Sequence, residues 1–272
     1  MPARRIDSTA NPLVKELASL KDRAGRNASG TFLVEGARET GRALRASVPV
    51  VRAIYSPELV SVEEDAHQLV TAAAAGGADV VELSGAAFSK ISMRQNPDGV
   101  ALQVAIVPRP GGAFAGVELH EGALVLVLDG IEKPGNLGAL LRTADATGVD
   151  LVIVTGAGTD LYNPNVIRAS QGSVFAVAPV AAEDGEALAF LRAGGARLVA
   201  TTPASPTPHW AADLRGTVAL LVGAEATGLR DGWLESADEL VRVPMKGSSA
   251  DSLNASVAGA VVLYEALRQR SA

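Results

Sequence analysis

From residue 124 onward the chain alternates short apolar runs with helix-spaced segments, and that alternation leaves few folds open. Residues 124–128 are continuously apolar, and residues 136–147 repeat at helical spacing. Strand-like runs at 151–154, 197–201, 218–222 and 241–243 follow, with helices expected at 186–193 and 252–268. A run that is apolar at every position suits a strand covered on both faces. Strands of that type separated by helices predict a parallel sheet with helices on both sides, an α/β class.

The N-terminal part reads as a smaller α/β unit. Ser8-Thr9-Ala10-Asn11-Pro12 is a helix start, after which Leu13, Leu17 and Leu20 recur at helical spacing. Strands are expected at 32–34, 50–55, 80–83 and 99–107, and helices at 39–46 and 65–75, the second stopped by Gly76-Gly77. Periodicity ends at Pro108-Arg109-Pro110-Gly111-Gly112-Ala113. The expected organisation is therefore a domain at 1–107, a linker at 108–120 and a second domain at 121–272.

Composition narrows the chemistry. Hydrophobic residues make up 48% of the chain and aromatics only 4%, so the core is built from Ala, Val and Leu. Cysteine is absent, which excludes disulfides and thiolate metal sites. His67, His120 and His209 show no metal-like spacing, and no metal is expected. The start carries no apolar segment of signal-peptide type, and the apolar runs are too short to span a bilayer. The expectation is a cytoplasmic protein without a membrane partner.

The net charge is −6, yet residues 1–52 hold ten Lys/Arg against five Asp/Glu. Two readings fit this asymmetry: solvated helix faces, or a basic surface for a polyanion. Arg23, Arg26 and Arg38 are the candidates for phosphate contacts.

Glycine-rich turns stand at the ends of predicted strands: Gly130, Gly156-Ala157-Gly158 and Gly223-Ala224-Glu225. Loops at the carboxyl ends of parallel strands line ligand crevices. Gly156-Ala157-Gly158-Thr159-Asp160-Leu161 lacks the third glycine of a dinucleotide fingerprint and enters no helical pattern, which argues against NAD. Asn136 and Arg142 lie six apart, so they share no helix face unless the helix starts after Asn136, leaving it in the loop or cap. Arg142 stands among apolar residues, where a guanidinium pairs with an acid or reaches a ligand phosphate. Ser252 and Asn254 fit plain helix capping, and Glu225 fits a surface acid, when each is taken alone.

Taken together, three ordered segments resemble the SpoU/TrmH branch of the SPOUT superfamily, RNA ribose 2′-O-methyltransferases. They are Asn136-Leu137-Gly138-Ala139-Leu140-Leu141-Arg142, then Leu220-Leu221-Val222-Gly223-Ala224-Glu225 with Gly228-Leu229, then Val243-Pro244-Met245 through Ser252-Leu253-Asn254-Ala255-Ser256. Tyr162-Asn163-Pro164 and Arg168-Ala169-Ser170-Gln171-Gly172 resemble a further loop of that family. Phe32-Leu33-Val34-Glu35-Gly36 and Asn96-Pro97-Asp98-Gly99-Val100 match, more loosely, a small substrate-binding domain similar to ribosomal proteins of the L30/L7Ae kind.

The resemblance implies a C-terminal SPOUT domain with a deep trefoil knot, S-adenosylmethionine as cofactor, rRNA or tRNA as partner, and a homodimer whose sites use both protomers. It names Arg142, Asn136, Glu225, Ser252 and Asn254 as catalytic. Main-chain groups around Thr201, Gly223, Val243, Met245 and Leu253 would hold the cofactor, with Thr202 and Ser256 nearby, and Arg168 would meet RNA. Arg142 would orient the ribose and its phosphate, since a guanidinium stays protonated. An inactive RNA- or ribosome-binding protein of the same fold, and a base-methylating relative, are the competing classes. The presence of the five polar residues argues against the first, and Ser252-Leu253-Asn254 against the second.

Overall fold

The computed structural model describes residues 4–60, 63–156, 158–247 and 252–271. The chain forms two units: one from residues 1–108 and 160–176, the other from 109–159 and 177–272.

The first unit holds β1 (Arg4–Ile6), α1 (Pro12–Ser19), α2 (Arg23–Ser29), β2 (Thr31–Glu35), α3 (Ala37–Arg45), β3 (Val50–Tyr55), α4 (Glu63–Ala75), β4 (Asp79–Leu83), α5 (Gly85–Ile91) and β5 (Val100–Ala105). The five strands form one mixed sheet in the order β1-β4-β3-β5-β2. Asn11 caps α1 by accepting the Leu13 amide at 2.9 Å, and Pro12 fills the first turn, where no amide partner is needed. Leu17 and Leu20, on the predicted apolar face, pack with Leu83, Phe88 and Ile54.

The two sequence segments likened to a substrate-binding domain meet here. Glu35 pairs with Ala101 across β2 and β5. Asp98 Oδ2 accepts the Ala37 amide at the start of α3 and the Arg94 guanidinium, both at 3.1 Å, and Arg94 also donates to the Glu35 carbonyl and to Glu39. Those segments therefore meet at a corner of the fold where Arg94 neutralises Glu39 and Asp98.

Residues 160–176 were expected within the second domain, but they cluster with the first unit. They carry α7 (Pro164–Ala169) and most of α8 (Ser173–Val177). α7 packs on β2, and Phe32 contacts the rings of Tyr162 (4.8 Å between centroids) and Phe175 (6.3 Å). A buried ion pair completes the join. Arg26 is 2% exposed and donates to Asp160 at 2.7 and 2.9 Å and to the Leu20 and Lys21 carbonyls. Its guanidinium is consumed inside the unit, so the expectation that Arg26 grips RNA is withdrawn. Arg23, Arg38 and Arg168 are exposed in the same unit.

The second unit holds β6 (Leu124–Asp129), α6 (Pro134–Thr147), β7 (Leu151–Thr155), β8 (Val180–Ala181), α9 (Asp184–Ala193), β9 (Arg197–Thr201), β10 (Val218–Gly223), α10 (Asp231–Ser236), β11 (Glu239–Val241) and α11 (Ala255–Arg270). All six strands run parallel, in the order β11-β9-β10-β6-β7-β8. Strands β6, β7 and β10 are buried at every residue, which is why they read as unbroken apolar runs. One face packs Val125, Val127, Ile153 and Leu221 against Leu191 of α9 and Trp233 of α10. On α11, Val262, Leu263 and Ala266 are buried, and the helix packs on α6 and β10.

Part of the predicted linker belongs to this core. Phe114 stacks on Phe190 with centroids 4.1 Å apart, and Ala113, Val117 and Leu119 pack beside it. The strand expected at 241–243 lies two residues earlier, at Glu239–Val241, and the last helix begins at Ala255 rather than 252. Residues 248–251, which include Asp251 of the third sequence segment, lie outside the described residues. No described helix is long and apolar enough to cross a membrane.

The buried Arg26–Asp160 pair yields a stability prediction. Removing one partner of such a pair costs about 3–5 kcal/mol, because the other charge is left buried and alone. Asp160→Ala should destabilise the protein within that range in urea unfolding. Arg26→Met/Asp160→Ala should cost less than the sum of the two single changes.

Candidate functional site

Three loops at the carboxyl ends of strands of the parallel sheet, after β6, β10 and β11, bring Asn136, Glu225 and Asn254 together in the second unit. The first leads from β6 into α6. Pro134 is the first residue of that helix and Lys133 its cap, so Asn136 lies in the first turn rather than in the preceding loop. The second is the hairpin that follows β10. Its base is closed by Ala224 and Gly228, which exchange backbone hydrogen bonds at 3.1 and 2.9 Å. A Cβ on Gly223 would lie 2.2 Å from the Gly228 carbonyl carbon and the Leu229 nitrogen, so only glycine permits this closure. The hairpin carries Glu225. The third loop ends at Asn254, the cap of α11.

Asn254 serves two purposes. Its Oδ1 accepts the Ser256 and Val257 amides at 3.0 and 3.4 Å, which is ordinary capping, and also the Ser256 hydroxyl at 2.6 Å. Its Nδ2 donates to Asn136 Oδ1 at 3.1 Å and to Glu225 Oε1. The capping reading and the site reading of Asn254 therefore both hold. Glu225 Oε2 pairs with Lys133, a residue that sequence reasoning passed over because its signal is a lone lysine before a helix.

Glu225 is held below its ordinary carboxylate value, first by the Lys133 hydrogen bond, then by Asn136, with a smaller contribution from the Ala255 amide. Its negative charge is thus fixed at neutral pH. Its carboxylate anchors Lys133 and Asn254.

Beside this junction lies a cavity of about 370 Å³, within the size range of small-molecule sites. Thr201, Thr202, Gly223, Val243, Met245 and Leu253 line it, as do Ser252 and the hairpin from Ala224 to Leu229. Thr201 Oγ1 donates to the Leu221 carbonyl at 2.9 Å. Val222, Leu229, Val243, Met245, Leu253 and Ala258 give it an apolar wall, suited to a nucleoside-bearing cofactor with a few polar contacts. Ser256 does not line it; its hydroxyl turns to Asn254. A second, smaller cleft is lined by Ile131, Lys133 and Asn136 and shares Ala224, Glu225, Ala226 and Ala255 with the first. Glu225 thus stands in the wall between the two.

Arg142 is not at this junction. It is exposed on α6 and makes no hydrogen bond or ion pair with a described residue. Six helical residues set it about 9 Å along the axis from Asn136 and about 120° around it. Its expected dedicated partner is absent within one chain among the described residues. Arg168, also expected near the site, is exposed in the first unit, with Asn165 as a hydrogen-bond partner at 3.2 Å. Among the described residues no group of three or more His, Asp or Glu could hold a metal.

Two predictions follow from this geometry. Gly223→Ala should abolish binding to the 370 Å³ cavity, measured by calorimetry with S-adenosylhomocysteine, because the hairpin cannot close. The second concerns pH. A lowered carboxylate keeps its contacts above the ordinary glutamate value of about 4.3 and loses them only as pH falls through the lower folded value. Any activity should therefore show no acid limb from Glu225 between about pH 5 and 9, and Glu225→Gln should lower the pH–rate profile without changing its shape.

Residues 123–264 match the family model of the SpoU rRNA methylases, and residues 11–102 match that of MRM3-like substrate-binding domains. A crystal structure of an RNA 2′-O ribose methyltransferase is 44% identical, covers 98% of this chain and 100% of its own, and superposes with a TM-score of 0.82. The S-adenosylmethionine-bound rRNA methyltransferase of Sinorhizobium meliloti is 30% identical over 98% of both chains, with a TM-score of 0.88. A 23S rRNA (guanosine(2553)-2′-O)-methyltransferase of Bacillus subtilis is 30% identical over 96% of this chain and 98% of its own. With both units matched and Asn136, Glu225 and Asn254 of the three motifs meeting at one junction, the chain belongs to the SpoU rRNA methylase family.

Proposed function

We propose that this chain methylates a ribose 2′-hydroxyl of ribosomal RNA at the junction of Asn136, Glu225 and Asn254, using the adjoining cavity for S-adenosylmethionine. The observation that carries this reading is the shared wall: Glu225 borders both the cofactor-sized cavity and the smaller polar cleft. Ribosomal RNA is favoured over tRNA because relatives matched along nearly their whole length, the Bacillus subtilis enzyme among them, act on 23S rRNA. Ribosomal RNA as substrate supports a cytoplasmic location.

Main-chain groups of Thr201, Gly223, Val243, Met245 and Leu253 hold the cofactor, with Thr202 and Ser252 at the rim. When bound, S-adenosylmethionine supplies a methyl group made electrophilic by its sulfonium charge. The protein's task is alignment, because a ribose hydroxyl is a weak nucleophile that must lose its proton as it gains the methyl. Asn136 and Asn254 position the nucleotide, and the fixed charge of Glu225 keeps both amides oriented. The proton departs to the adjoining phosphate or to water.

Arg142 enters from a second copy of the chain. Its exposure and lack of a partner support this, as do Val257 (48% exposed) and Tyr264 (53% exposed) on α11, the helix packed against α6. Arg142 then orients the ribose and phosphate of a nucleotide held at the partner's junction, as a planar cation and not as a base. We also read the C-terminal segment as a threaded knot. β11 lies at the sheet edge, while α11 returns to β10 and α6 in the interior, which supports a crossing of the chain between them. The first unit grips the RNA through Arg23, Arg38 and Arg168.

Tritiated methyl transfer to ribosomal RNA tests the arrangement. Arg142→Ala should lower turnover by about a hundredfold with little change in cofactor affinity, and Arg142→Lys should not restore it. Mixing Arg142→Ala chains with Asn136→Ala chains should recover about a quarter of wild-type activity, since half the dimers then hold one intact site. No recovery would show that Arg142 acts within its own chain. Replacing Arg23, Arg38 and Arg168 by Glu should weaken RNA binding and flatten its salt dependence, leaving S-adenosylhomocysteine binding unchanged.

A further inference from the structure

We infer that Asp129 and Arg230 are positioning residues for the reaction, which set the Glu225 hairpin by clamping its exit to the end of the central strand β6. Neither belongs to the junction itself. Asp129 closes β6 and is 1% exposed. Its carboxylate is satisfied entirely by named groups. Oδ1 accepts the Thr155 hydroxyl at 3.1 Å, the Arg230 Nε at 2.9 Å and the Arg230 Nη2, while Oδ2 accepts the Arg230 backbone amide at 3.0 Å. Both the side chain and the main chain of Arg230 are thereby held by one buried carboxylate. Asp184 takes a further contact from Arg230 Nη2 at 2.5 Å.

Arg230 stands two residues after Gly228, the closing residue of the hairpin, and between them Leu229 is 5% exposed in the core and lines the cofactor cavity. The hairpin thus has two fixed ends. Its entry is fixed by the close approach at Gly223, and its exit by the Asp129–Arg230 clamp. Glu225, between those ends, is mobile only as far as both allow. An alteration of about 1 Å in a positioned group is enough to cost rate.

The clamp also accounts for a glycine that the sequence motif left unexplained. A Cβ on Gly156, at φ 74°, would lie 3.0 Å from Arg230 Nη2 and 3.2 Å from the Gly130 nitrogen. Glycine after β7 therefore leaves the space through which the guanidinium reaches Asp129. Gly156, the first glycine of the Gly156-Ala157-Gly158 motif, makes room for an arginine.

The inference rests on the reading of Glu225 as a residue of the reaction site, so the experiment includes Glu225→Gln alongside Asp129→Asn, Arg230→Gln, Arg230→Lys and the double variant Glu225→Gln/Arg230→Gln. Full-length protein is used, with calorimetry for S-adenosylhomocysteine, methyl-transfer turnover, and a melt for each variant. Arg230 has a side chain 47% exposed, so its replacement tests the clamp even where Asp129→Asn fails to fold. Arg230→Gln should raise the dissociation constant and lower turnover by about tenfold each while still melting above the assay temperature, and Arg230→Lys should recover part of both. Turnover of the double variant should be no lower than that of the weaker single variant, since both changes disable one hairpin. A folded Arg230→Gln within twofold of wild type in both readouts, beside an impaired Glu225→Gln, overturns the clamp. So does a double variant whose two losses multiply, because independent losses mean that Arg230 acts only on overall stability. A silent Glu225→Gln removes the reading of the site, and the clamp's role with it.

Discussion

The arrangement of the second unit depends on one carboxylate that three separate loops must reach. Glu225 accepts from Lys133 before α6 and from Asn254 at the start of α11, while itself riding on the hairpin after β10. These partners lie 92 and 29 residues away in sequence. Holding an ionised acid among polar neighbours favours the arrangement in which all of them are present, because an unpaired donor or acceptor at a partly covered site is costly. The parallel sheet makes the meeting possible by ending β6, β10 and β11 on one edge, where their loops converge.

Because Glu225 is held below the ordinary carboxylate range, its charge is a constant of the site and not a variable. That separates roles which the residue types alone leave mixed. Glu225 is engaged by a lysine and by asparagine side chains, which hold the ionised carboxylate in one place. The cofactor-sized cavity and the polar cleft lie on either side of it. The two cavities differ in character, one with an apolar wall and the other flanked by amide and charged side chains.

The arginines of this chain show how little a residue type says about its use. Arg26 is buried and ties Asp160 and two carbonyls inside the first unit. Arg230 closes on the buried Asp129, and Arg270 donates to the carbonyls of Leu214, Gly122 and Gly216, fastening the end of α11. Arg142 has no partner among the described residues. A guanidinium offers a rigid fork of donors, so whichever acceptors the fold presents determine whether it becomes a staple or remains available for a ligand.

Local pattern carried much of this protein's architecture. Apolar runs located β6, β7, β9 and β10 to within a residue, since strands covered on both faces are mostly apolar, and the polar residues Asp129 and Thr155 fall only at strand ends. Asn11 and the glycines after helices marked ends for equally local reasons. The motif residues Asn136, Glu225 and Asn254 were legible because their order along the chain is distinctive. Short elements such as α2, α5, α7 and α10 were not, as six or seven residues hold too few turns to show a period. Tertiary structure alone decided which polar residues meet. It buried Arg26 on Asp160, set Arg142 away from Asn136 by starting α6 at Pro134, brought Lys133 to Glu225, and gave Gly156 its purpose beside Arg230. Periodicity reports only which face of an element is buried, whereas partners are chosen by the packing of elements distant in sequence.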